Sequence, residues 1–188
     1  MKISWSEFRS LKKSFSFAIK GLIYCIKNER NMRIHLVVAI VVLVFAVFFK
    51  LSRIEFAILL LTFGLVVFCE IVNTSIETFI NLTSPAYNGL AKIAKDVAAG
   101  GVLLMASVAV LVGLILFGNL NRLSQTFALI FKQLWCVLLF CVLLFFGFAF
   151  IFQSFNFKNL FINKAKVIQD DDKVKIYKPR KRKKLNLQ

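Results

Sequence analysis

Four stretches of this sequence are apolar for long enough to cross a bilayer, and they leave the chain few ways to fold. Ile34–Leu51 begins directly after Arg33, a second run starts near Ile54 and reads as helical to about Leu82, a third extends from about Leu90 to Phe117, and Leu134–Phe152 gives a fourth. Hydrocarbon offers the backbone no hydrogen-bond partners, so runs of about 20 such residues span as helices. Composition agrees: 59% of the residues are hydrophobic and 22 are Phe, where a soluble domain is about 45–50% apolar. The expected fold class is an all-α integral membrane protein. Cys25, Cys69, Cys136 and Cys141 form no CxxC pair, so they suggest neither a disulfide framework nor a metal site.

Charge placement predicts the topology. Of 25 Lys and Arg, eight lie in residues 1–33 and eleven in 158–188, leaving six for the 124 residues between. With four spans the basic N-terminus, the 83–90 loop and the basic tail share one side, the cytoplasmic one by positive-inside bias, and the other side holds only Lys50, Arg53, Arg122 and Lys132. Residues 4–27 place Trp5, Phe8, Leu11, Phe15, Ala18, Leu22 and Ile26 on one helical face, with Arg9, Lys13, Lys20 and Lys27 elsewhere, as in an amphipathic helix on the membrane surface. The expected organisation is a surface helix and linker (1–33), a three-span core (34–118), an outer loop (119–133), a fourth span (134–152) and a basic cytoplasmic tail (153–188). The tail suits anionic lipid; without a nucleic-acid-binding fold, no nucleic-acid partner is expected.

The second span is about 43 Å long as a helix, against about 30 Å of hydrocarbon. Its second half should therefore emerge into the headgroups, and that half carries Glu70, Asn73, Glu77 and Asn81. At 100° per residue these four form one polar stripe. A carboxylate set in Leu65-Val66-Val67-Phe68-Cys69-Glu70-Ile71-Val72 is costly and marks function more often than helix–helix glue. After Ser84-Pro85-Ala86-Tyr87-Asn88-Gly89 the third span opens with Lys92, Lys95 and Asp96, and its Ala98, Ala99, Gly100 and Gly101 would permit close helix packing. Glu29, Arg30 and Arg33 precede the first span on the same side. Carboxylates can hold Mg²⁺ while leaving room for phosphate oxygens, Lys and Arg can offset phosphate charge, and an acid shielded from water is a good proton acceptor for an alcohol. The set reads as phosphoryl transfer. There is no GxxxxGK[ST] loop, and the single His, His35, rules out HExxH zinc chemistry; His35 itself reads as an interfacial side chain. A small transporter or channel with a Glu70–Glu77 path is the alternative, and a non-catalytic assembly protein docking a partner through its tail is a third.

Glu70-Ile71-Val72-Asn73-Thr74-Ser75-Ile76-Glu77, followed by Ala94-Lys95-Asp96 and preceded by Asn28-Glu29-Arg30-Asn31-Met32-Arg33-Ile34-His35, resembles the signature of the prokaryotic diacylglycerol kinase family. Ser84-Pro85-Ala86-Tyr87 with Leu90-Ala91-Lys92-Ile93-Ala94-Lys95-Asp96 is similar to its undecaprenol kinase branch. The resemblance covers about residues 5–118. It implies a homotrimer of three-span subunits in the bacterial cytoplasmic membrane, with ATP and Mg²⁺ as cofactors and undecaprenol or diacylglycerol as the lipid alcohol. It implies that Glu70 is the catalytic base, that Glu29 and Glu77 bind metal at the ATP phosphates, and that Asn73, Tyr87, Lys95 and Asp96 belong to the nucleotide site. Many relatives have an acid where this chain has Asn81, and Glu-Tyr-His where it has Ala86-Tyr87-Asn88. The fourth span and the tail lie outside the family pattern.

Overall fold

A computed structural model describes residues 5–84 and 88–153. Tyr87, the expected basic tail beyond Gln153, and the side chains of Trp5 and Phe8 lie outside the described residues. The chain divides into two units, Met1–Gln153 and Ser154–Gln188, and the architecture here is that of the first. Its elements are all helical: α1 (Trp5–Asn28), α2 (Arg30–Phe48), α3 (Arg53–Thr83), α4 (Gly89–Phe117), α5 (Leu120–Lys132) and α6 (Leu134–Phe152). The four expected spans are α2, α3, α4 and α6, each long and apolar enough to cross a membrane.

Local signals set the helix ends. A single extended residue, Glu29 (φ −105°, ψ 119°), separates α1 from α2. At the far end of α2 the chain turns through Lys50 in the left-handed region (φ 55°), with Leu51 N–H donating to Ala46 O and Lys50 N–H to Val47 O. That paired pattern closes a helix C-terminus. Ser52 then caps α3 reciprocally with Glu55: Ser52 N–H donates to Glu55 Oε2 (2.7 Å) and Glu55 N–H to Ser52 Oγ (3.3 Å). Asn88 caps α4 by accepting from the N–H groups of Leu90 and Ala91. The Asn88 departure from the family pattern thus has a structural use.

Residues 120–132 correct the expectation of an outer loop. They form α5, capped by Asn119 Oδ1 accepting from Arg122 N–H. Leu123, Thr126, Phe127 and Ile130 recur at i, i+3, i+4 and i+7, the spacing of one helical face, and Thr126 and Ile130 are buried. Arg122 donates to Phe49 O (3.0 Å) and Lys50 O (3.1 Å) and lies over the Phe49 ring, pinning α5 to the end of α2.

α3 is central, packing most extensively on α4 and also on α2, while α2 carries α6 on another side. Close packing does not fall where the small residues of α4 suggested: a Cβ on Gly100 or Gly101 would meet nothing within 4 Å. It falls at Gly147 of α6, where a Cβ would lie 2.6 Å from Val37 Cγ1. On α1 the apolar residues Leu11, Phe15 and Leu22 are exposed, as a helix lying on lipid leaves them. All four cysteines are free. Because Val37 is β-branched and stiff, Gly147→Val should separate α6 from α2 and cost about 1–3 kcal/mol, read as a lowered Tm in detergent micelles. An unchanged Tm would contradict this packing.

Candidate functional site

The polar residues of α3 divide into two kinds. Thr62, Thr74, Ser75, Thr78 and Thr83 each donate their hydroxyl to the carbonyl four residues back, at 2.8–3.0 Å. These groups are satisfied within the helix and need nothing else. Glu70 and Asn73 differ. Glu70 is 1% exposed, and neither of its carboxylate oxygens has a hydrogen-bond partner; buried Asn73 Oδ1 has none either. An unpartnered buried acceptor costs about 1–3 kcal/mol, more if charged, so these atoms are poised for something other than this chain's own fold.

They face a cavity of about 260 Å³ bounded by Asn31, His35, Glu70 and Asn73 on its polar side and by Ala99, Val102 and Ala106 of α4 on the other. Asn28 adds another buried unpartnered oxygen, its Oδ1, while its Nδ2 donates to Tyr24 O. Glu29 and Glu77 are the two carboxylates close enough to act on Glu70 electrostatically. Cys25 of α1 ties these elements together. It lies beside Thr74, with Glu29 and Glu70 near, and burial pushes its thiol up. The cysteine therefore reads as packing at the α1–α3 contact rather than as a nucleophile.

Glu29 sits at the one-residue break between α1 and α2, and its side chain makes no capping bond, which leaves the carboxylate available. Glu77 is two turns further along α3 than Glu70 and half-buried. Lys95 Nζ donates to Asn81 Oδ1 at 2.7 Å, tying the start of α4 to the end of α3, and Asp96 beside it is exposed. Glu70 and Asn73 thus share one cavity, Glu29 and Glu77 act on Glu70 only through charge, and Lys95 is bonded to Asn81.

Arg33 does something different from the phosphate-charge role the sequence suggested. It is 7% exposed and donates to Ile26 O (3.2 Å) and Lys27 O (3.0 Å) of α1 and to Ile151 O (3.2 Å) of α6. Asn31 and His35, read from the sequence only as part of the family segment and as an interfacial side chain, line the same cavity as Glu70. Four residues apart on α2, they share one helical face, which is a usable signal.

Among the described residues no three His, Cys, Asp or Glu side chains come together to hold a metal by themselves. The donors suit Mg²⁺, which binds through one or two carboxylates completed by phosphate oxygens and water.

This architecture defines a small multi-pass membrane protein with an acidic site at one end of its helices. The family model for prokaryotic diacylglycerol kinase matches residues 16–117, and the chain belongs to that family of lipid kinases. It is 42% identical over 113 residues to a diacylglycerol kinase of Synechocystis (60% of this chain, 65% of that protein). It is 36% identical over 112 residues to the undecaprenol kinase of Bacillus subtilis (60% of this chain, 91% of that protein). A Helicobacter pylori diacylglycerol kinase (strain 26695) is 32% identical over 108 residues, covering 57% of this chain and 78% of that protein. The chain thus spans just under two thirds of the cyanobacterial kinase's length. No solved structure matches it significantly.

A clamp on three carbonyls does not tolerate Lys, because only the guanidinium fork reaches all three. Arg33→Lys should lower the Tm in micelles, by about 2–3 kcal/mol of lost charged hydrogen bonding. Full stability in that variant would return Arg33 to a ligand role.

Proposed function

We propose that this protein is an ATP-dependent kinase of a membrane lipid alcohol, undecaprenol or diacylglycerol, acting at the cytoplasmic face of the bacterial inner membrane. The observation that carries this reading is the buried, unpartnered Glu70 carboxylate, set beside Glu29 and Glu77 in a member of this kinase family. Membership together with the 36% identity to the Bacillus undecaprenol kinase supports the substrate class.

Glu70 acts as general base. It takes the proton of the lipid hydroxyl as that oxygen bonds to the γ-phosphorus and ADP departs. Water is kept from the carboxylate by burial, which keeps Glu70 a competent acceptor and limits hydrolysis. Asn73 Oδ1, also without a partner, is placed to orient a donor in the same cavity. Glu29 and Glu77 are the side chains that would hold Mg²⁺, which when bound neutralises charge on the nucleotide phosphates. Lys95, Asp96 and Tyr87 complete the nucleotide site, with Lys95 already fixed against Asn81. The active unit is a homotrimer. Support for it comes from α4, whose most apolar stretch is little buried and whose Gly100 and Gly101 face open space in one copy.

The test is transfer of labelled γ-phosphate to undecaprenol and to diacylglycerol in mixed micelles. Wild type should label at least one, and Glu70→Gln should lower kcat by about 100-fold or more, the scale of a lost general base. If wild type labels neither lipid, or Glu70→Gln matches wild type, the reading fails. Ion flux through liposomes without nucleotide would favour a carboxylate-lined path instead.

A further inference from the structure

The polar cavity at Glu70 does not end in the protein interior. It shares His35 and Ala106 with a second cavity of about 580 Å³ whose walls are otherwise apolar. This trough runs between α2, α3 and α4 away from Glu70: from His35 to Phe45 on α2, back from Val67 to Leu59 on α3, and from Ala106 to Phe117 on α4. The eleven helical steps from Ala106 to Phe117 make it about 16 Å long, roughly half of a ~30 Å hydrocarbon core. Its far end is closed by aromatic rings. Phe45 meets Phe117 at 5.4 Å and Phe127 at 5.7 Å between centroids, and Phe140 lies against the same trough. Phe127 belongs to α5 and Phe140 to α6, both beyond the residues that match the family model.

We propose that this trough holds the hydroxyl-proximal part of one hydrocarbon chain of the acceptor lipid, and that α5 and α6 supply a floor that separates chains short enough to end there from longer ones, which must turn out into the bilayer. The proposal rests on the kinase reading, since it places the lipid hydroxyl at Glu70. A chain lowered into the trough keeps its carbons in apolar surroundings while the hydroxyl end of the lipid reaches the cavity at Glu70 and Asn73. A second copy of this protein fits less well. A helix inserted there would meet the closed aromatic end and would have no group to offer the unpartnered carboxylate at the other.

Gly113 provides a probe that leaves the fold alone. It lines the trough, and a Cβ there would meet nothing within 4 Å. Gly113→Leu places a side chain in the trough, and Leu favours helix more than Gly does. We expect Gly113→Leu to lower kcat/KM for long-chain polyprenols and diacylglycerols by roughly tenfold or more relative to short-chain analogues, the scale on which apolar pockets discriminate, with the KM for MgATP unchanged. Phe127→Ala should shift the preference toward longer chains. An unchanged length profile in both variants overturns the proposal. So does copy-to-copy crosslinking through a Gly113→Cys variant, which would show a second protein molecule in the trough. Binding is read separately with a short-chain prenol, of a length matched to the trough, carrying a photoreactive group at the chain end: adducts on the peptides containing Phe127 and Phe140 support the floor, and adducts confined to other peptides sink it. If no alcohol is phosphorylated yet the adducts map to the floor, the kinase reading fails and the lipid trough stands.

Discussion

The end of the molecule that bears Glu29 is organised by Arg33. α1 stops at Asn28, one residue before α2 begins, and α6 ends nearby at Phe152. Two helix C-termini therefore meet with carbonyls unsatisfied by their own helices, each end carrying partial negative charge. Arg33 donates to carbonyls of both, and Arg30 adds its guanidinium over the Phe152 ring, 4.9 Å from the centroid. A buried guanidinium is expensive unless its N–H groups are matched; here helix dipoles provide both acceptors and field. The consequence for function is positional. With α1 tied back onto the first turn of α2, the break must fall at Glu29, and an extended residue at a fixed break is where a carboxylate can stay clear of its own helices.

Against that frame of satisfied carbonyls, Glu70 is the conspicuous exception. The hydroxyls on the same helix all bond to the preceding turn, so α3 resolves its polar groups internally wherever it can. Glu70 and Asn73 have no such route, and the fold tolerates them because α3 packs on both α2 and α4. Violations of polar satisfaction concentrate at working sites, where the missing partner arrives with the ligand. Within one copy the Glu70 carboxylate and Asn73 Oδ1 bond to no neighbouring helix, unlike Lys95 with Asn81.

Much of this was legible in the sequence. The spans could be read to within a few residues, because twenty apolar positions in a row have one physical solution in lipid. Glu70 stood out because its neighbours made its charge costly. The stripe Glu70–Asn73–Glu77 followed from the helical repeat alone. What the sequence obscured were roles fixed by tertiary geometry. Arg33 was grouped with the phosphate ligands because its charge is visible and its three carbonyl partners, two of them on α1 and one 118 residues away, are not. The small residues of α4 looked like packing surfaces, yet the close approach lies at Gly147, a lone glycine in the most apolar helix. α5 is too short to cross a bilayer, so span length alone leaves it as a connection, although Leu123, Thr126, Phe127 and Ile130 carry the helical repeat.

α5 and α6 join the three-span core at both ends of its first helix. At one end Arg122 takes the Phe49 and Lys50 carbonyls, just where Lys50 turns left-handed and exposes them. At the other, Arg33 takes the Ile151 carbonyl. Between these points α6 runs along α2 with Gly147 against Val37; Cys136 and Gly147 are buried, and most of its other residues are exposed. A helix with so little buried surface gains little from packing; Arg33 on the Ile151 carbonyl, Arg30 over the Phe152 ring, Phe48 against Phe140 and Gly147 against Val37 place it on α2. That arrangement makes α5 and α6 a brace on α2 rather than a second core. It also explains why the trough has a floor: holding α5 across the end of α2 puts Phe127 against Phe45, and Phe45 in turn packs on Phe117, the last residue of the family match.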